Sequence, residues 1–254
     1  MCVCTFMKYI TIALLAALSI SFRSCPAQQK ESHFEPIVVV ELFTSEGCSS
    51  CPSADVALTK LTADADKEHK KIFTLAFHVD YWNRLGWKDT FSNSHYSDRQ
   101  RQYAEIMNLP SVYTPQMIVN GTEQFVGSDI SKLHDEVAKA LSMNATSSFA
   151  QLNVIKKEAN KLSLHYELKG NIKDCEIHFA LISKHVSTNV KRGENAGHLL
   201  AHTDVVREFI TRPATDQSEI TINTPLNDWT NLHLIAYVQR TTDLKIIAAA
   251  EIQP

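Results

Sequence analysis

The chain has 254 residues, 44% of them hydrophobic and 21% charged, which is the balance of a folded globular protein and excludes a disordered or low-complexity one. Lys and Arg number 25 against 28 Asp and Glu, a net charge of −3, so there is no electrostatic case for nucleic acid or an anionic membrane surface. Six cysteines are too few to staple a chain of this length, and the fold must rest on its own core.

In chain order, the first feature is not part of a fold. Lys8 precedes the apolar stretch Ile10 to Ile20, too short for a comfortable membrane span and the size of a signal-peptide core. Met7 offers a second start, which would discard Cys2 and Cys4. Cleavage after Ala27 makes residues 1–27 a signal peptide and releases a soluble protein. Lipidation of Cys25 would leave a lipoprotein instead. Either route predicts an exported chain, periplasmic or secreted, with Cys48, Cys51 and Cys175 left in the released form. No other segment is long and apolar enough to span a membrane.

Residues 36–43 carry β-branched side chains without alternation and predict a strand covered on both faces. Cys48-Ser49-Ser50-Cys51 follows, and Pro52 to Leu61 predicts a helix with its proline in the first turn. Residues 64–71 read as a solvated stretch and residues 72–79 as a second apolar strand. Residues 81–98 form an aromatic, then Ser/Asn/His-rich insertion, after which Arg99 to Met107 predicts a helix. Residues 116–120 and 124–127 predict two strands joined at Asn120-Gly121, a strong hairpin signal. Ser131 to Leu141 predicts a closing helix. Residues 142–148 read as a polar linker. Beyond it, alternation predicts strands at 149–155, 161–168, 176–182, 205–211, 219–223, 232–239 and 245–252. About seven short strands in about 105 residues suggest an immunoglobulin-like sandwich at 149–254.

The chemistry concentrates at the two closely spaced cysteines. Two thiols separated by two residues can close a small disulfide ring, and a helix N-terminus beneath the first favours its thiolate, the nucleophilic form. The competing readings are a closed structural disulfide and a metal pair. Ser49-Ser50 adds neither a cation nor a ring, so the direction of electron flow stays open.

Strand, CxxC, helix, strand, insertion, helix, Thr-Pro, hairpin and helix over residues 36–141 resemble the thioredoxin superfamily. More closely, ELFTSEGCSSCPSAD, AFHVDYWNRLGWKDTFS, RQRQYA, VYTPQMIVNG and RGENAGHLLAHTDVVRE resemble a family of secreted bacterial thioredoxin-like proteins known as a domain of unknown function. The insertion at 81–98 departs from the wider superfamily and suggests a distinct branch. The resemblance implies an α/β thioredoxin-like domain followed by the small all-β sandwich. It implies a redox-active Cys48–Cys51 disulfide without any further cofactor. It also implies a cis Thr114–Pro115 bond facing the disulfide, and Gly127 in the last strand before the closing helix.

On this reading Cys48 attacks a partner disulfide and Cys51 resolves the mixed disulfide. Thr114 presents its backbone to a substrate strand, against the plainer reading of Pro115 as a strand-entry proline. Tyr113, Trp82 and Trp87, with Tyr81, line a groove for an extended partner or simply cover the sheet edge. Glu41 interrupts an apolar run. It either takes the proton of Cys51 or reaches water or Lys60 at the strand end. His78 and Asp80 hold the insertion as a hydrogen-bonded pair; alternatively His78 joins Cys48 and Cys51 as a copper or zinc site. Arg99 and Arg101 read as a solvated or salt-bridged face, His198 and His202 as shapers of a late loop that reaches the cysteines or stays within the sandwich, and Cys175 as a buried small hydrophobe. The expected function is an exported thiol–disulfide oxidoreductase acting on a protein or small-molecule thiol; the alternative is a metallochaperone.

Overall fold

The computed structural model describes residues 34–254. The leader at 1–27, the cleavage after Ala27 and the lipidation of Cys25 lie outside the described residues.

Strand β1 (Val38–Thr44) is buried along its whole length. It pairs in parallel with β2 (Ile72–His78) and antiparallel with β3 (Gln116–Val119), which leaves both faces to be covered. Val38, Val40 and Leu42 pack with Leu58 of helix α1 (Pro52–Glu68) and with Leu133 and Val137 of the third helix, α3 (Ile130–Leu141). Val39 and Phe43 join Phe73, Leu75, Phe77 and Tyr103 on the opposite face, under helix α2 (Ser94–Ile106). Pro52 opens α1, where its missing N–H leaves no helical bond unmade. The helix runs through Glu68, so the stretch expected to be solvated is largely its last turns. Strand β4 (Glu123–Val126) pairs with β3 across a turn with Asn120 at φ 46° and Gly121 at φ 73°, the left-handed pair that an Asn-Gly hairpin requires.

The second half supplies β5 (Ser147–Glu158), β6 (Lys161–Gly170), β7 (Cys175–Asn189), β8 (Leu199–Pro213), β9 (Gln217–Asn223), β10 (Leu232–Arg240) and β11 (Ile246–Ile252). Strands β5, β6 and β9 form a three-stranded sheet. Its Leu162, Leu164 and Tyr166 pack on Ile177, Phe179 and Leu181 of β7 and on Leu234 and Ala236 of β10.

The expected fold class is corrected here. The chain does not form a helix-surrounded thioredoxin-like α/β domain followed by an immunoglobulin-like sandwich. It is mostly strand, and its main sheet has eight strands in the order β11-β10-β7-β8-β2-β1-β3-β4, mixing both halves of the sequence. The join is the edge of β2, where Ala76 pairs in parallel with Val205 of β8. An open β2 edge would leave backbone groups unpaired beside an apolar core, and β8 takes that place. Polar bonds lock the join. Asp204 accepts from Thr62 of α1 (3.2 Å) and from Thr74 of β2, and pairs with Lys184 of β7 at 2.8 Å. Thr59 and Thr203 bond at 2.9 Å, and the Tyr96 hydroxyl donates to the Val206 carbonyl at 3.2 Å.

Several strands exceed their expected length, β7 and β8 by the most. Strands β7 and β8 each run 15 residues and pair through Asn189–Leu199, so the loop between them, residues 190–198, stands well beyond the sandwich core.

Candidate functional site

Cys48 and Cys51 are joined in a disulfide at the start of α1, with Cys51 as the residue that caps the helix. Both are fully buried, while Ser49 and Ser50 between them are exposed. The Cys51 amide donates to the Cys48 carbonyl at 3.2 Å, and the Ala54 and Asp55 amides donate to the Cys51 carbonyl, so the ring is continuous with the first helical turn. The Ser50 hydroxyl lies 3.3 Å from the Cys48 sulfur.

Three segments enclose this loop. The first leads into β3. The Thr114–Pro115 bond is cis, and Pro115 sits against the first turn of α1: a Cβ on Gly127 would stand 3.1 Å from Ala54 Cβ and 3.2 Å from Pro115 Cβ. The second is the insertion. The Trp82 indole donates to Thr114 Oγ1 at 2.8 Å while its Cβ lies 3.2 Å from where a Cβ on Gly47 would stand, so Trp82 bridges the proline loop and the cysteine loop. Trp87 donates to Glu46 Oε2 at 2.7 Å. Tyr113 turns its hydroxyl to Gln124 of the edge strand β4 at 2.6 Å, and Tyr81 turns its own to Gln100 of α2 at 3.1 Å.

The third segment is the loop at 190–198, which sequence reasoning connected with this site only through His198 and His202. Asn195 is 6% exposed in an otherwise exposed tip. Its amide donates to the carbonyls of Glu46 and Cys48, both at 2.9 Å. Glu194 accepts from the Ser49 amide at 3.0 Å, and the Ser49 hydroxyl together with that amide holds its carboxyl below the usual range. Gly193, at φ 77°, lets the loop close on Trp87. His198 stays exposed, whereas His202 of β8 is buried. The readable signal was the alternation at the start of β8, where Leu200 and His202 point inward and Leu199 and Ala201 outward.

Around Glu46 and Asp55, the carboxylates that flank the cysteines in sequence, lies a buried ionisable cluster. His202 Nδ1 is 3.4 Å from Asp55 Oδ1 and its Nε2 is 3.7 Å from Glu46 Oε1. Its ring meets His78 edge to face, centroids 4.8 Å apart. His78 Nδ1 is 2.7 Å from Asp89 Oδ2, which also accepts from the Glu46 amide at 2.8 Å. Burial disfavours the His78 imidazolium, but the Asp89 carboxylate beside it, with Asp55 and Glu46 nearby, outweighs that and raises its pKa above the ordinary value. Burial alone would raise Asp89; the His78 charge and the Glu46 and Phe91 amides hold it below the usual range. Glu46 Oε1, His78 Nε2 and both nitrogens of His202 have no hydrogen-bond partner among the described residues.

The other expected residues lie elsewhere. Glu41 faces α2, on the side of the sheet opposite α1 and the cysteines. It accepts from Arg99 at 2.7 Å, from Tyr237 at 3.2 Å and from Tyr103. Of the solvated or salt-bridged alternatives Arg99 takes the second, paired with Glu41, and it is buried among Phe77, Tyr103, Phe209 and Tyr237. Asp80 pairs with Ser97 (2.5 Å) and not with His78, and Arg101 with Asp98 on the surface. Cys175 is buried in β7, its thiol pushed up by burial. Among the described residues no group of three or more His, Cys, Asp or Glu side chains is arranged to hold a metal ion while Cys48 and Cys51 are joined in the disulfide. No helix among them is long and apolar enough to cross a membrane.

Fold and site together define a β-rich, mixed-sheet protein with a cysteine-pair disulfide at the head of a helix. The chain belongs to the family described as protein of unknown function (DUF1223), whose model matches residues 39–239. It is similar to the crystal structure of protein AGR_C_4864 from Agrobacterium tumefaciens, at 25% identity and a TM-score of 0.63 over 86% of this chain and 95% of that one. A domain of the outer membrane lipoprotein Omp28 from Porphyromonas gingivalis aligns at 12% identity over 43% of this chain and 88% of that one, with a TM-score of 0.28. No curated protein matches the chain significantly.

Proposed function

We propose that this protein is an exported thiol–disulfide oxidoreductase whose redox centre is Cys48–Cys51. The observation that carries the reading is the setting of the pair. The disulfide stands at the first turn of α1 beneath an exposed Ser49-Ser50 tip, and the residues flanking it in sequence, Glu46 and Asp55, meet a buried imidazole, His202, where a structural staple would need only apolar packing. On reduction, the amide end of α1 and the Ser50 hydroxyl favour the Cys48 thiolate, which attacks a partner disulfide; Cys51 resolves it. Both sulfurs are buried, so a protein or small-molecule thiol reaches Cys48 only when the covering segments move. Export is supported by the apolar run Ile10 to Ile20 behind Lys8.

Equilibration of residues 28–254 in graded thiol buffers tests this. The expected potential of the pair lies between about −120 and −270 mV, the range of exchange enzymes. Cys51→Ser should accumulate a stable mixed disulfide at Cys48. A potential well below about −300 mV, with no mixed disulfide in Cys51→Ser, would make the pair a structural staple.

A further inference from the structure

The buried ionisable cluster holds four polar atoms without hydrogen-bond partners, on three side chains no more than 3% exposed: Glu46, His78 and His202. Buried polar groups are nearly always paired, so such a concentration marks a function in waiting rather than a packing device. Its position fits the chemistry of the pair. Asp55 follows Cys51 by four residues on α1, which puts it on the same helix face, and helical side chains lean back toward the N-terminus and hence toward Cys51. Asp55 then meets His202 Nδ1 at 3.4 Å, and Glu46, two residues before Cys48, meets His202 Nε2 at 3.7 Å. One imidazole is therefore suspended between the two carboxylates that flank the cysteines in sequence.

Resting on the exchange reading above, we propose that His202, working through Asp55, is the proton store for the Cys51 thiol. In the forward step a partner thiolate attacks Cys48. A sulfur–sulfur bond forms between the partner and Cys48, the Cys48–Cys51 bond breaks, and the electron pair leaves on Cys51. That thiolate takes a proton relayed from the His202 imidazolium by Asp55. In the reverse step the Cys51 thiol returns its proton by the same route, and the thiolate attacks Cys48 and expels the partner as its own thiolate. Over a full cycle two partner thiols are oxidised to a disulfide while the pair is reduced, or the converse.

The groups facing His202 favour this role. Asp55 from α1 and Glu46 from the cysteine loop attract a proton. His78 from β2 meets it edge to face, with its own charge held by Asp89 of the insertion, and Phe91 closes the remaining side at 6.1 Å between rings. His202 is a positioning residue in the sense that it acts on the sulfur through Asp55.

The test uses reduced protein and oxidised glutathione, with stopped-flow resolution of the mixed disulfide between about pH 5.5 and 9. In His202→Asn, resolution by Cys51 should slow about 10²-fold near neutral pH and lose one inflection of its pH profile, while the initial attack by Cys48 keeps its rate. Asp55→Asn should reproduce the loss. A folded His202→Asn with the wild-type profile overturns the proposal and leaves the exchange reading intact. Should the variant fail to fold, the wild type decides: by NMR the His202 ring should titrate at different pH in the oxidised and reduced forms, and identical midpoints overturn the proposal. Wild-type protein that forms no mixed disulfide with glutathione at all removes the exchange reading itself, and this is seen before any variant is compared.

Discussion

The two faces of the main sheet at β1 and β2 carry buried polar clusters of opposite character. Under α2, Glu41 is saturated by Arg99, Tyr103 and Tyr237, and Arg99 also donates to Gln239 at 3.2 Å. Under α1, Glu46, His78 and His202 retain unpaired atoms. The first cluster ties residues from β1, α2 and β10 and so stitches the two halves of the chain. The second lies beside a disulfide and is left incomplete. A satisfied buried network specifies a fold, whereas an unsatisfied one beside a reactive group is where chemistry is stored.

The largest way to separate the two is Cys48→Ser. It should reduce thiol–disulfide exchange to the level of a cysteine-free control, measured by reduction of a scrambled disulfide substrate, and exchange that persists would place the redox centre elsewhere. Next is Arg99→Met, which leaves the Glu41 carboxylate buried without a counter-charge, held only by the Tyr103 and Tyr237 hydroxyls. A loss of about 3–5 kcal/mol is expected in urea unfolding, with much of it recovered in Glu41→Gln/Arg99→Met and with the potential of the cysteine pair unchanged. Asn195→Ala removes the donor to two carbonyls of the cysteine loop. It should lower stability by about 1–3 kcal/mol and speed alkylation of reduced Cys48, because the cover opens more readily.

A pH series sharpens the contrast further. The folded pKa of His78 is raised, so its pairing with Asp89 stabilises fully below the unfolded value of about 6.5 and fades as pH rises through the folded value. Asp89 is lowered, so its share is present above about pH 3.9 and fades as pH falls through its own folded value. The stability difference between wild type and His78→Asn, measured by urea unfolding, should therefore be greatest near pH 5–6 and shrink toward alkaline pH. A difference constant across that range would show that the fold leaves the His78 pKa at its unfolded value. The smallest effect belongs to Glu194→Ala. This exposed side chain meets Ser49 through its amide and hydroxyl, so the urea midpoint should stay put while Cys48 alkylation rises modestly.

The local units were legible because their signals are short-range. The β-branched run became β1, Pro52 opened α1, and Asn120-Gly121 made the hairpin. The candidate site was legible only where its residues are near in sequence to the cysteines or to Thr114-Pro115. Glu41 shows the limit. The sequence marks it as a polar residue in a buried strand, but the face it points to depends on how β1 packs, and that face belongs to Arg99. Asn195 shows the converse. Its distance along the chain hides its role, and only the full length of the β7–β8 hairpin carries residues 190–198 to the cysteine loop.

By itself the sequence determined that Cys48 and Cys51 can close a ring at the head of a helix, and that two halves of different texture follow one another. Tertiary structure decided that the halves share one sheet, because the open edge of β2 is completed by β8. It also decided which ionisable groups surround the pair, because Glu46, Asp55, His78, Asp89 and His202 come from five places along the chain and meet only when that sheet is built.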